Sequence, residues 1–440
     1  MPHIREGAVI MSIWGTVLLA INLVGVRFGG AAIGLASQIL LARLLTQDQV
    51  GIVFLGMSAT AFIGLLITGG YPQLAITCLP RYYTLGRSRL IQAFHAAFLK
   101  DSLWISLATF LAALLIYFVL PLNQGLKTAL LFGCLSAPAS ALIRMNSAVA
   151  NSVRRYALSY VPDFLYRPGL LLAFLALAWF FQFQLTISLV LWAFVISNTA
   201  VAIAQAYLIG SAGTFSGLKW QGRHNLAAVL RGRAGALVIV GAVAASFSDI
   251  VTLLGGLFLN PADVAMVGVT IRLATLAGFI TQATQQFIIP DLTNAMARGT
   301  PAQIRALLLR INVIALGAIL TCALGAALFG GPILKIFGPA YETGKWPLVL
   351  FMISQACRAA SGMNQHLLSL GGQQVKTAGS CVVAMIVLVA STAIFAPRFG
   401  VLGVAFAVIT ADAVWAILLA MQAERLTGRR GDILGVLKAA

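Results

Sequence analysis

Long apolar tracts constrain this chain more than any other feature. They recur twelve times, at roughly 17–42, 49–75, 96–120, 126–150, 163–182, 185–210, 234–259, 263–289, 306–330, 346–370, 376–396 and 400–422. About 20 mainly apolar residues is the length a helix needs to cross the hydrocarbon core of a bilayer. Only helices and closed barrels satisfy their backbone there. The whole chain is 60% hydrophobic and 9% charged, more apolar surface than a soluble domain can hide. The expected fold class is an all-α polytopic membrane protein with about 12 transmembrane helices. The first tract is too long, and lacks the small-residue cleavage site, for a removable leader.

The charges orient these helices. Lys and Arg number 29 against 11 Asp and Glu, a formal +18. In a soluble chain that excess would point to nucleic acid. Here the basic residues sit mostly in short connections, so no nucleic-acid partner is expected. One alternating set of connections, with both termini, carries eighteen of them, from Arg5 through Arg81, Arg154, Lys219 and Arg298 to Lys438. The opposite set carries five: Arg43, Lys127, Lys335, Lys345 and Arg398. By the positive-inside rule the first set, and both termini, are cytoplasmic. Arg43 reads as an anchor or loop cap at the outer interface.

The longest inner connection, "SAGTFSGLKWQGRHNLAAVLRGRAGA", divides six spans from six. It can form a basic amphipathic helix at an anionic membrane surface. The expected organisation is a six-helix lobe over 1–215, a basic cytoplasmic linker over 216–233 and a second six-helix lobe over 234–440. The halves also align weakly. "LLTQDQVGIVFLGMSATAFIG" (44–64) lines up with "LFLNPADVAMVGVTIRLATLAG" (257–278), matching Val50 with Val264 and Gly64 with Gly278 at an offset of 214. "RMNS" at 144–147 lines up with "GMNQ" at 362–365. Six spans per half is the parallel-repeat layout. It has a pseudo-twofold axis along the membrane normal and a site expected between the halves.

Four arginines remain at membrane depth once loops and span ends are set aside: Arg27, Arg144, Arg272 and Arg358. Each costs about 2.5–3.5 kcal/mol on insertion scales. Helical spacing places Arg27 with Gly30, Ala31, Gly34 and Gln38. Arg144 shares its stripe with Ser136, Ser140, Ser147 and Asn151. Arg272 shares with Gly268, Thr275, Phe279, Gln282 and Gln286. Arg358 shares with Ser354, Gln355, Ser361, Gln365 and His366. Small polar stripes are wrong for lipid and suit either helix packing or the wall of a wet cavity. Both readings stay open for each arginine alone: "GVRFG" could be a tight helix contact, and Arg272 could snorkel. Their recurrence, two per half, favours the cavity. Asp249 and Asp412 are the intramembrane acids, candidates for ion coupling or counter-charges to the arginines. Asp163 and Arg167, at i and i+4 beside Pro168, read as an interfacial pair.

The five cysteines form no CxxC pair, so no disulfide framework, metal site or cofactor is expected. No phosphate loop, HExxH or paired carboxylates are present, and the chain is not expected to be an enzyme.

Several stretches resemble the Wzx-type polysaccharide and O-antigen flippases, of the superfamily that also holds multidrug extruders and the lipid II flippase. "ILLARLLTQDQVGIV" resembles their "LARLLGPEDFG" signature, with Thr46-Gln47 where Gly-Pro is usual. "NPADVAMVGVTIRLATLAGFITQATQQFIIPDLTNAMARG" resembles their seventh-to-eighth span region. "ILKIFGPAYETG" resembles an "ILxLFGxxY" outer loop, and "FGVLGVAFAVITADAVW" their final "GxxGAA" span. The resemblance implies a V-shaped pair of lobes around a cationic cavity in the bacterial inner membrane. It also implies transport of an undecaprenyl-pyrophosphate-linked oligosaccharide, an O-antigen or exopolysaccharide repeat unit, to the periplasmic leaflet. Membrane lipids, a polysaccharide polymerase and a chain-length regulator are the implied partners. Arg27, Arg144, Arg272 and Arg358 would then hold the head group. Gln38, Asn151, Gln282, Gln286 and Gln365 would contact sugar hydroxyls. The rivals are a cation-coupled drug extruder, which should line its cavity with carboxylates, and a membrane-embedded glycan polymerase or ligase, which needs a sizeable outer loop.

Overall fold

The computed structural model describes residues 13–210, 246–298, 300–370, 374–428, 430–433 and 435, with backbone alone for 13–24, 286, 287, 289, 290, 293, 296–298, 301, 370, 374, 375 and 427. Among the described residues every regular element is helical. The first group comprises α1 (Ile13–Leu44), α2 (Gln47–Thr68), α3 (Tyr71–Thr84), α4 (Ser88–Val119), α5 (Gln124–Ser152), α6 (Tyr156–Phe180) and α7 (Ile187–Ile209). The second comprises α8 (Ser246–Phe258), α9 (Pro261–Arg298), α10 (Pro301–Lys335), α11 (Lys345–Ala360), α12 (Asn364–Leu370) and α13 (Gln374–Thr427). Nine of the described helices are long and apolar enough to cross a membrane.

The expected tracts map onto these helices in order, with four refinements. The second breaks at Gly69 and Gly70, so that its end starts the separate helix α3. Of the seventh tract, Ser246–Phe258 is described. The tenth breaks at 361–363 into α11 and α12. The eleventh and twelfth run together as α13, through a kink where Gly400 leaves helical geometry just after Pro397. The linker expected over 216–233 lies outside the described residues.

Local signals start the helices where the chain turns. Thr46 opens α2 with a capping box completed by Gln49. Thr300 does the same for α10 with Gln303. Asn260 accepts a hydrogen bond from the Asp263 backbone at the head of α9. Each satisfies backbone N–H groups that a first helical turn leaves unpaired.

In the first lobe α5 is the hub, packed against α2, α3, α4 and α7. Small residues allow the approach. Gly64 of α2 faces Ser140 of α5, and Gly133 of α5 faces Ala59. In the second lobe α11 packs against α9, α10 and α13. Outward faces are apolar: α4 alone exposes Leu103, Trp104, Leu111, Leu115 and Phe118, as a lipid-facing helix should.

The lobes meet where α2 crosses α9. Val50 and Val264, the aligned pair, are both buried there. Gly51 lets the backbones touch, because a Cβ at that position would collide with the Pro261 carbonyl. Hydrogen bonds cross at the same end. The Gln47 side-chain amide donates to the Ala262 carbonyl at 3.2 Å. Arg43 donates from Nε to the Ile336 carbonyl at 2.8 Å and from Nη2 to the Lys335 carbonyl at 3.2 Å. Those carbonyls end α10, where a cation is favoured. Arg43 is thus a cap, as expected of it, but one that reaches into the other lobe.

Candidate functional site

A cavity of about 740 Å³ lies between the lobes, walled by α1, α2 and α5–α9. It is built from one face of each wall helix. From α1 come Arg27, Gly30, Gly34 and Gln38, and from α9 come Arg272, Thr275, Phe279 and Gln282. Both sets are the small, polar faces that helical spacing placed together. Arg144 enters from α5, and Asp249 from α8.

Two further charges come from α6. Asp163 and Arg167 both line the cavity, although their spacing reads as an interfacial pair. Asp163 lies on, and Arg167 just after, a π-helical turn over Pro162–Tyr166, a wider turn of the kind often found at functional sites. The shared signal in the sequence is Pro162 and Pro168 bracketing the turn. Arg167 holds Asp163 at 3.4 Å. Gly30 of α1 packs directly on this turn, where a Cβ would collide with the Phe164 carbonyl.

The cavity therefore holds four arginines (Arg27, Arg144, Arg167, Arg272) against two aspartates (Asp163, Asp249), an excess of two positive charges. Aromatic rings back three of the four. The Arg272 guanidinium lies 4.1 Å from the Phe54 ring centre. Arg27 lies 5.4 Å from Tyr160 and 5.9 Å from Phe164. Arg167 lies 5.7 Å from Phe194. A ring face holds a guanidinium without consuming its in-plane N–H donors; Arg272 Nη1 spends one on the Gly268 carbonyl at 3.5 Å and Arg167 Nη1 one on Asp163, and the other donors are left for an anion. Asp249 accepts a hydrogen bond from Ser58 Oγ at 3.0 Å, across the lobe boundary. The buried Nε of Arg144 has no hydrogen-bond partner among the described residues, so one donor of that fork is unused.

Other expected site residues lie elsewhere. Arg358 is not on the cavity wall. Its guanidinium sits between the rings of Phe247 (5.2 Å) and Trp415 (5.0 Å), with Asp412 3.9 Å away. The polar stripe of α11 packs largely against its neighbours, with Gln355 and Arg358 half-buried. Ser354 and Ser361 bond carbonyls of their own helix, and Gln355 lies against Gly278 of α9. Asp412 is accordingly the counter-charge of Arg358, inside the second lobe. Gln365 lies on α12, away from the cavity wall. The Gln286 side chain is outside the described set. Asn151 lines a second, smaller chamber that adjoins the cavity at Arg144.

No protein-family model matches this sequence, and no curated protein sequence matches it. Its fold is nonetheless shared with solved membrane transporters. An inward-closed lipid II flippase MurJ superposes with a TM-score of 0.65 at 12% identity, over 91% of this chain and 87% of that one. An inward-facing multidrug-resistance MATE transporter gives 0.69 at 13% identity, over 93% of this chain and 99% of that one. An outward-facing MATE transporter gives 0.55 at 14% identity, over 96% of each chain. The chain is thus a multi-pass membrane protein with the fold of these structures, and its TM-score is higher against the inward-facing of the two MATE structures.

Proposed function

We propose that this protein is a flippase for a lipid-linked anionic glycan, of the undecaprenyl-pyrophosphate class, carried from the cytoplasmic to the periplasmic leaflet of a bacterial inner membrane. The observation that carries the reading is the arginine excess of the cavity. Pyrophosphate oxygens are pure acceptors, and guanidinium forks match them bidentately. Arg144 offers an unused buried donor, and Arg27 and Arg272 stand on the cavity's two lobe faces. Gln38 and Gln282 add neutral donors and acceptors for sugar hydroxyls. The apolar outer faces would let the polyprenyl tail remain in the bilayer.

Sidedness follows from charge. With the eighteen basic residues inside, the Arg43 end of the bundle is periplasmic and closed. The cavity then addresses the cytoplasmic leaflet. Rocking of the lobes about the α2–α9 crossing would open it outward. An inside-negative potential assists anion export by about 2.3 kcal/mol per charge per 100 mV.

The second reading, a cation-coupled drug extruder, draws on the MATE likeness and on Asp163 and Asp249. A cavity with more arginines than carboxylates is a poor host for cationic drugs. The deciding experiment uses proteoliposomes holding a fluorescent undecaprenyl-pyrophosphate glycan. Wild type should translocate it, and Arg144→Ala and Arg272→Ala should each slow it about tenfold or more, given about 1.5–3 kcal/mol per charged hydrogen bond. Translocation by neither wild type nor variants, with drug efflux by wild type, would establish the second reading instead.

A further inference from the structure

The chamber beside Arg144 has a chemistry of its own. It holds about 230 Å³ between α2 and α3 on one side and α5 and α6 on the other. Arg144, Asp163 and Phe164 line both it and the main cavity. A group gripped by Arg144 therefore has this chamber as its immediate neighbour.

Its lining is mostly uncharged and mixes polar with apolar side chains, and its donors divide into used and unused. Thr68 Oγ1 is committed to the Leu65 carbonyl at 2.6 Å. Ser159 Oγ is committed to the Ser147 carbonyl at 2.8 Å, and Ser147 Oγ accepts from Gln205 at 3.0 Å. The side-chain amides of Gln73 and Asn151, in contrast, bond to no described residue, and both line the chamber. Each amide carries two donors and an acceptor. Such a pair suits a hydroxyl-bearing ring, whose groups both donate and accept. It does not suit a second phosphate, which only accepts and would face Asp163. The rings of Tyr160 and Phe164 add apolar surface for the C–H face of a pyranose.

We propose that this chamber is a subsite for an uncharged sugar ring of the glycan, entered once the adjoining phosphate is on Arg144. The assignment rests on the pyrophosphate reading above. It makes Gln73 and Asn151 specificity residues for the sugar and leaves anchoring to the arginines.

The test uses the full-length protein in detergent and two short-chain polyprenyl pyrophosphates, one bare and one bearing a single N-acetylhexosamine. Wild type should bind the sugar-bearing lipid about tenfold more tightly, as expected for two net hydrogen bonds. Gln73→Leu and Asn151→Leu should each remove about three- to tenfold of that increment while binding of the bare lipid stays unchanged. Unchanged binding of the bare lipid also certifies the fold, and Gln73→Leu stands alone should Asn151→Leu not fold. Equal affinity of wild type for both lipids, or an increment that survives in both variants, overturns the subsite and leaves the pyrophosphate reading intact. Binding of neither lipid overturns both.

Discussion

Arg144 and Arg358 began as equals in the sequence, each on a small polar stripe, and the structure gives them opposite work. Arg144 keeps an unpartnered buried donor beside a cavity. Arg358 is half-buried against two rings and a carboxylate. Stripe polarity shows that a face avoids lipid; it does not show whether the face meets water or another helix. On α1 and α9 the stripe faced water, and on α11 it faced Asp412, 54 residues further along the chain. Substitution separates the two roles. Arg144→Lys should fold normally yet fail to restore transport, because an ammonium cannot supply the bidentate fork. Arg358→Ala should lower thermal stability in detergent, by about 3–5 kcal/mol, because it strands Asp412 in the protein interior. The double replacement Arg358→Met with Asp412→Leu should recover most of that loss. A stable Arg358→Ala protein with weakened ligand binding would return Arg358 to the cavity.

Elements were legible by length and less so by irregularity. Twelve apolar tracts announce twelve spans, and caps such as "TQDQ" and "TPAQ" mark their starts. The π turn of α6 was not legible, because it changes helical phase within a continuous apolar tract; Asp163 and Arg167 read as an interfacial pair from their spacing beside Pro168, and the structure keeps the pair but sets both on the cavity wall. The closeness of the turn to α1 gives a paired prediction. Gly30→Val places carbon against the Phe164 carbonyl and should push α1 off α6, lowering both thermal stability and transport. Gly34→Ala, four residues on, meets nothing within 4 Å and should be tolerated. Melting curves of the two variants check this, and equal behaviour would refute the contact. The break between α11 and α12 was equally hidden, since its partner is the chain's far end. The Gly431 carbonyl accepts from Asn312 at 2.8 Å and the Gly431 amide donates to Asn364 at 2.7 Å. Beside them, burial alone would raise the Asp432 carboxyl. Hydrogen bonds from Arg430 and Asn364 outweigh it and hold the group below the ordinary aspartate range. A depressed carboxyl stabilises above its unfolded value, about 3.9, and loses that contribution as pH falls through the folded value. The docked tail should therefore resist proteolysis at neutral pH and become cleavable only in acid, whereas Asp432→Ala should be cleavable throughout.

At the scale of the whole molecule, the arrangement of two lobes was foreshadowed by the 214-residue offset that pairs Val50 with Val264, since α2 and α9 turn out to be the helices that cross. What the offset could not show is how that crossing is locked. Arg43 lies in the first lobe and the carbonyls it caps lie in the second. The cap can persist only while this end stays shut. Opening the end must break two charge-assisted hydrogen bonds and the Gln47–Ala262 contact, with Gly51 leaving Pro261. Arg43 is exposed, so water recovers part of the loss, leaving about 1–2 kcal/mol in favour of the closed end. That amounts to about a five- to thirtyfold bias in the lobe equilibrium. Arg43→Ala should remove it without touching the cavity arginines. Spin labels at Val119→Cys and Trp346→Cys, both exposed and on opposite lobes at this end, would report the change on a cysteine-free background. The distance distribution should gain a longer component in Arg43→Ala, and Arg43→Lys should give an intermediate population because one donor can still reach a carbonyl. An unchanged distribution in Arg43→Ala would mean that α2–α9 packing alone holds the end closed.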